Sequence, residues 1–377
     1  MDNKLIRLSR SHVGLIEQKN VLKVLEDGYL GIGKFVEDFE REIQEFLQTK
    51  KNVICVNSGT AALHLSLQAV GLLPGDEVLV PSITYLATYQ AIKATGAIPI
   101  SCDVLSNNLF INLDDARKRL SKKTKVILPV HYGGNSDMMP EVYKFAEKYG
   151  LRIIEDAAHS FGSYRKDGMI GVVGDIICFS FDGIKNITCG EGGAILSSDK
   201  DVINRVKDAR LLGVCNDSEK RYKGQRSWDF DVINQGWRYH MSNINAALGL
   251  AQIKECESRF KRKKEIASKY IKYLKNNPNI KLLEIFSNGT VNHIFPIIVN
   301  SKIRDDLRKI LIENNIETGL HYHPNHLLEY FKSDYSLPIS EAISKRIISL
   351  PFHSLLKDQE QEFVIYKLLD SIDKLVK

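Results

Sequence analysis

A chain of 377 residues, 44% apolar and 26% charged, is long enough for one large core and a second, smaller one, and this composition excludes a disordered or fibrous protein. Lys and Arg number 52 against 46 acids, a diffuse formal charge of +6 that, without a recognisable module, argues against nucleic acid as a partner. No apolar run reaches the roughly 18 residues of a membrane span, so no membrane partner is expected. The opening MDNKLIRLSRSHVGL lacks the apolar stretch of a signal peptide. Six cysteines, none in a CxxC pair, fit neither a disulfide framework nor a thiolate metal site; a cytoplasmic protein is expected, with Cys55, Cys102 and Cys178 as small core residues.

Short β-branched runs at 53–56, 77–80, 98–102, 126–130, 152–155, 176–180 and 194–197 read as strands, with helical periodicity at 61–70, 87–94 and 139–149 between them. Strands alternating with helices predict an α/β domain around a mostly parallel sheet. Ligands of such sheets gather where loops leave the carboxyl ends of the strands.

Four of these loops carry chemistry. The first, Asn57-Ser58-Gly59-Thr60-Ala61-Ala62, joins a strand to a helix, which is either a seat for phosphate on free N–H groups or ordinary capping by Ser or Thr. In the second, the strand 152–155 runs into Asp156 and then Ala157-Ala158-His159; a carboxylate there pairs with a cationic heterocycle, binds a metal or caps a helix. The third leaves the strand 176–180 through Asp182-Gly183-Ile184-Lys185-Asn186 and returns through Gly190-Glu191-Gly192-Gly193. A lysine pinned in such a cleft sheds its proton and condenses with an aldehyde cofactor, whereas in an open turn it is a surface charge. By itself the fourth, Gly236–Ser242, says only that an aromatic loop leads into a capped helix.

Beyond it, a helix is predicted at about 242–275, a strand at 293–299, a helix at 305–314, a His-rich loop and a last helix at 358–375. The basic run 259–264 reads as a solvated helix face, and Asp199-Lys200-Asp201 as a turn. The expected division is a large domain, 1–250, and a smaller α+β domain, 251–377, with the N-terminal segment lying against the latter. His131, after a strand, either shapes a pocket or packs.

Together these segments resemble the DegT/DnrJ/EryC1/StrS family of sugar aminotransferases. The resemblance runs through Gly75-Asp76-Glu77-Val78, Pro81-Ser82-Ile83-Thr84-Tyr85, Glu155-Asp156-Ala157-Ala158-His159, Ser180-Phe181-x-x-x-Lys185 with GEGG, and His321-Tyr322-x-Pro324-x-His326. It implies the pyridoxal-phosphate (PLP) transferase fold type I: a large α/β domain with a mostly parallel mixed sheet plus a smaller α+β C-terminal domain. It implies PLP, or its amine form PMP, as cofactor. Lys185 is then the Schiff-base lysine that moves the proton, with its amine pKa lowered by burial near cations. Asp156, as an anion, partners the pyridine nitrogen, and His159 neighbours the phenolic oxygen. Tyr85 lies over the ring, and Gly59, Thr60, Ala61 and Ser180 hold the phosphate. Residues His321, Tyr322 and His326 contact substrate at the mouth; the other reading of that loop, a metal site of three imidazoles, is set aside, and no metal is expected.

In the family the loop at 236–242 reaches the phosphate of a neighbouring subunit, which implies a homodimer with shared active sites. Here the chain departs: Arg238 stands where the family often has Asn, His240 where it has Arg, and Asp182 where His or Tyr is common. A guanidinium at 238 still binds phosphate. The resemblance further implies an amino-acid donor, L-glutamate, and a keto sugar nucleotide (a 3-keto or 4-keto deoxy sugar) as acceptor, for surface-glycan biosynthesis. Alternatives are amination of a small keto phosphate, a PLP-dependent sugar dehydratase, and a non-catalytic cofactor-binding sensor. Dehydratases of this kind replace the lysine with His, so Lys185 counts against the second, and an intact Lys185 with Asp156 counts against the third.

Overall fold

In the computed structural model, which describes residues 5–376, two N-terminal helices, α1 (Leu15–Asp27) and α2 (Lys34–Leu47), lead into the main sheet. There β1 (Asn52–Val56), α3 (Gly59–Ala69), β2 (Glu77–Pro81), α4 (Leu86–Ala94), β3 (Ile98–Cys102), α5 (Leu113–Lys118), β4 (Thr124–Ile127), α6 (Met139–Tyr149) and β5 (Arg152–Asp156) follow in turn. A small hairpin, β6 (Tyr164–Arg165) and β7 (Gly168–Met169), precedes β8 (Ile176–Ser180) and β9 (Gly193–Ser197). The seven long strands lie in the order β1-β9-β8-β5-β4-β2-β3; β9 alone runs antiparallel to its neighbours, so the sheet is mixed and mostly parallel. All seven are the runs picked out by β-branched content.

Both faces of this sheet are covered, which is why its strands read as near-continuous apolar runs. Alternate residues go to opposite faces: Ile54, Val56, Ile176 and Cys178 join the core under α3, and Val53, Cys55, Ile177 and Phe179 join the one under α2. The expected turn at 199–201 is instead a helix start, because Asp199 accepts from the N–H groups of Asp201 and Val202 and caps α7 (Lys200–Ala209). After α8 (Asp217–Tyr222) comes α9 (Asn243–Leu274), 32 residues and so ~48 Å long.

Helix α9 couples the two halves of the molecule. Ala246, Ile253 and Cys256 pack into the main-sheet core, whereas Ile266, Ala267, Tyr270 and Leu274 pack into a separate one; position 250 lies inside this helix. The second core covers a three-stranded antiparallel sheet, β10 (Lys281–Leu282), β11 (Phe295–Ile298) and β12 (Ile347–Leu350), with α10 (Arg304–Glu313), α11 (Pro338–Ser344) between them in sequence, and α12 (Asp358–Val376). The N-terminal segment reaches it too: Ile6 bridges Ile316, and Leu8 accepts from the N–H of Phe352. Among the described residues no helix is long and apolar enough to cross a membrane.

Candidate active site

Loops at the carboxyl ends of β1, β2, β5 and β8, joined by two segments of the smaller sheet region, enclose a cavity of about 400 Å³. Its lining includes Ser58, Gly59 and Thr60 from the β1–α3 loop, Tyr85 and Thr88 from the start of α4, and Asp156, Ala158 and His159 after β5. Ser180, Asp182, Lys185 and Glu191 come from the loop between β8 and β9, and His293, His321 and Tyr322 from the other side.

At one end, Ser58 caps α3 by accepting from the N–H of Ala61 (3.0 Å), which leaves the first-turn amides of Gly59 and Thr60 at the cavity. The fit there is close. A Cβ on Gly59 would stand 2.7 Å from Ser180 Cβ, and one on Gly193 would stand 2.5 Å from the Ser58 carbonyl oxygen. Glycine is therefore required for β8, β9 and α3 to converge, and the result is a cradle of backbone donors at a helix N-terminus, suited to a phosphate.

At the floor, Asp156 is buried, its Oδ2 accepting from Thr88 Oγ1 (2.8 Å) and its Oδ1 from the Ala158 N–H (3.2 Å). Burial raises its carboxyl pKa, and the Thr88 and Ala158 hydrogen bonds, with the charge of Lys185, act against that. A cationic ring nitrogen would add to the opposing side and hold the anion. Beside it, His159 Nδ1 accepts from the Gly133 N–H (3.3 Å), so the ring proton sits on Nε2, 3.0 Å from the hydroxyl of Tyr322. Burial keeps His159 well below its ordinary pKa, hence neutral, and raises the Tyr322 phenol.

At the third corner lies Lys185. Burial lowers its pKa and outweighs the opposing pull of Asp182, Asp156 and Glu191. The lowering matches the sequence expectation, but its main cause is desolvation and not cationic neighbours. The loop is pinned one residue on: Asn186 donates to the carbonyls of Phe161 and Val291 (both 3.0 Å) and accepts from Lys263 Nζ (2.8 Å). An anion seat, a carboxylate for a ring nitrogen and an amine whose pKa burial lowers together fit a phosphorylated pyridine aldehyde.

Three of the anticipated residues are not brought to the cavity. The side chain of Ala61 packs into the core under α3. Arg238 and His240 border a separate hollow of about 120 Å³ with Asp217, Arg221 and Phe230, and burial beside Arg238 lowers His240 to about 4. His326 is buried, its Nδ1 2.7 Å from Ser82 Oγ and its Nε2 3.4 Å from Glu341. His321 meets Ser349 through Nδ1 (2.7 Å), so the loop's imidazoles diverge. Among the described residues, no group of three or more His, Cys, Asp or Glu is placed to hold a metal. His131 packs, with Nε2 3.1 Å from Glu155 and Nδ1 3.0 Å from Ser160.

Thr88, His293 and Lys263 are the site residues that sequence reading passed over. Lys263 has a retrievable signal. It lies in the run taken for a solvated face, yet 259, 263, 266, 267, 270 and 274 form one stripe at helical spacing, and all six are buried.

Comparison with known proteins bears on what this cavity is. Residues 14–369 match the DegT/DnrJ/EryC1/StrS aminotransferase family. The chain is 32% identical over 381 residues to the spore coat polysaccharide biosynthesis protein SpsC of Bacillus subtilis (strain 168), with 98% of each covered. It superposes on Helicobacter pylori PseC, an aminotransferase involved in the biosynthesis of pseudoaminic acid, with a TM-score of 0.92 at 25% identity, covering 98% of this chain and 100% of that one. With NtdA of Bacillus subtilis, solved with bound cofactor PMP, the TM-score is 0.84 at 28% identity, covering 98% and 87%. The chain belongs to the DegT/DnrJ/EryC1/StrS aminotransferase family, and it is a PLP-dependent transaminase.

Proposed function

We propose that this enzyme moves the amino group of an amino acid, L-glutamate, onto a 3-keto or 4-keto deoxy sugar carried on a nucleotide, for surface-glycan biosynthesis in the cytoplasm. The observation that carries the chemistry is the half-buried amine of Lys185, its pKa lowered by desolvation, facing the same cavity as Asp156. The sugar is supported by likeness to SpsC and PseC, whose names point to polysaccharide and pseudoaminic acid.

When bound, PLP supplies a carbonyl that takes up the amine and a ring that draws off negative charge from the adjacent carbon. Lys185, inside the cavity, would take a proton from the substrate carbon and return it on the other side of the transfer. Thr88 and the Ala158 N–H fix the Asp156 carboxylate toward the ring nitrogen. Gly59, Thr60 and Ser180 would hold the phosphate, His159 would neighbour the ring oxygen with Tyr322 beside it, and Tyr85, 61% exposed, would cover the ring from the solvent side.

Arg238 fits this scheme in a homodimer, where a second copy presents it to the phosphate. Exposed Leu212, Trp228, Phe230, Val232 and Ile233 in the same stretch of chain supply an apolar face for that contact. The division into domains 1–250 and 251–377 belongs to the same proposal, with its boundary inside α9. The test is to load the protein with PLP and L-glutamate and offer nucleotide-linked keto sugars, reading products by mass. An amino sugar formed with 2-oxoglutarate supports the reading; 2-oxoglutarate without any aminated sugar across the panel sinks the acceptor.

A further inference from the structure

Lys185 Nζ has one hydrogen-bond partner among the described residues: Nε2 of His293, at 3.4 Å. Among the described residues no carboxylate lies within 4.0 Å of Lys185 Nζ, although Asp156, Asp182 and Glu191 line the same cavity. The choice of partner has a chemical consequence. A carboxylate at that distance stabilises the ammonium and keeps the proton on the lysine, whereas a neutral imidazole holds the amine in place without charging it.

His293 is built to stay neutral and still. It comes from the other side of the cavity, 108 positions along the chain, on the segment that leads into β11. Its backbone N–H donates to the Gly133 carbonyl (3.2 Å), and the preceding Asn292 anchors to the carbonyls of Gly133 (3.2 Å) and Ile285 (2.9 Å). The ring lies against His159, centroids 4.4 Å apart, which fixes its plane. Its Nδ1 is buried with no partner among the described residues, so Nε2 is its one point of attachment, and that point is Lys185. Burial holds His293 well below the ordinary imidazole pKa, with the charges of Lys185 and Lys263 acting in the same direction.

We propose that His293 is the positioning residue for Lys185, a tether that aims the free amine into the cavity between its turns as base and acid. A lysine has four rotatable bonds, and one hydrogen bond at its end removes most of that freedom before the proton is transferred. The proposal rests on Lys185 being the proton-carrying amine.

The test uses the PLP-loaded enzyme and follows the half-reaction with L-glutamate by the change in cofactor absorbance. In His293→Phe, which keeps a ring and drops the hydrogen bond, the rate constant at saturating glutamate falls about 10- to 100-fold, while the glutamate concentration for half-maximal rate stays within about twofold. His293→Gln, which restores a donor and an acceptor, recovers part of the loss. A wild-type rate in His293→Phe overturns the tether. A second measurement needs no substitution at 293: in cofactor-free protein carrying ¹⁵N-histidine, Lys185→Met shifts the His293 ring nitrogens if the bond exists, and unchanged resonances overturn it. Borohydride trapping separates the two layers. Cofactor trapped on Lys185 in both wild type and His293→Phe, at equal half-reaction rates, removes only the tether, and no trapping on Lys185 in wild type removes the proton-carrying lysine with it.

Discussion

The two ends of the cavity are made in different ways. The phosphate end is local in its donors: Ser58, Gly59 and Thr60 follow one another, and the helix they start supplies them through its backbone, with Ser180 closing against Gly59 from β8. The lysine end is assembled from afar, since Lys185 meets His293 across 108 positions and its neighbour Asn186 meets Lys263 across 77. Local construction depends on backbone and on glycine, and it writes a motif. Distant construction depends on single side chains held by tertiary packing, and it writes none.

Four substitutions probe that contrast, from the largest effect down. Asp156→Ala removes the one carboxylate held at the floor and should slow the glutamate half-reaction about a thousandfold or more, read by stopped-flow absorbance; a loss under tenfold would mean the ring nitrogen has another partner.

Lys263 tests the lysine end through stability. Burial, aided by the charge of Lys185, lowers its pKa to about 7, whereas an unfolded lysine titrates near ~10.4. Between those values the unfolded chain binds more protons than the folded one, so stability rises with pH across that window. The gain from this group is on the order of 3 kcal/mol between pH 7 and pH 10. Lys263→Met should abolish that slope in urea unfolding of the cofactor-free protein, raising stability most at pH 7; an unchanged slope would place the charge in water.

The phosphate end is broken by Gly59→Val, whose side chain meets the backbone and side chain of Ser180. Affinity for PLP should fall about 100-fold by absorbance titration. Smallest is Thr88→Val, which strips one hydrogen bond from the Asp156 carboxylate and should lower the half-reaction rate about tenfold with PLP binding nearly intact.

The same contrast governs what the sequence discloses. The seven strands of the main sheet are legible because both faces are buried and their runs are β-branched. The loops after β1, β5 and β8 are legible because a parallel sheet puts its chemistry there. The edge strands β10 and β12 were missed, being two and four residues long and taking their shape from pairing with β11. The family resemblance places His326 at the mouth with His321 and Tyr322, but its ring turns to Ser82 and Glu341. Arg238 cannot be placed by one chain when its proposed target belongs to a second copy. His293 gave no signal, because a lone histidine before a strand looks like any other. Lys263 did give one, in the apolar stripe it shares, and only the charge count hid it.

The central claim concerns a single nitrogen, and peptide mapping after reduction addresses it directly. PLP-loaded protein treated with borohydride and digested should carry the reduced cofactor on the peptide containing Lys185, and Lys185→Ala should carry none while unfolding as wild type does. Reduced cofactor found undiminished on another residue in the Lys185→Ala protein would contradict the account.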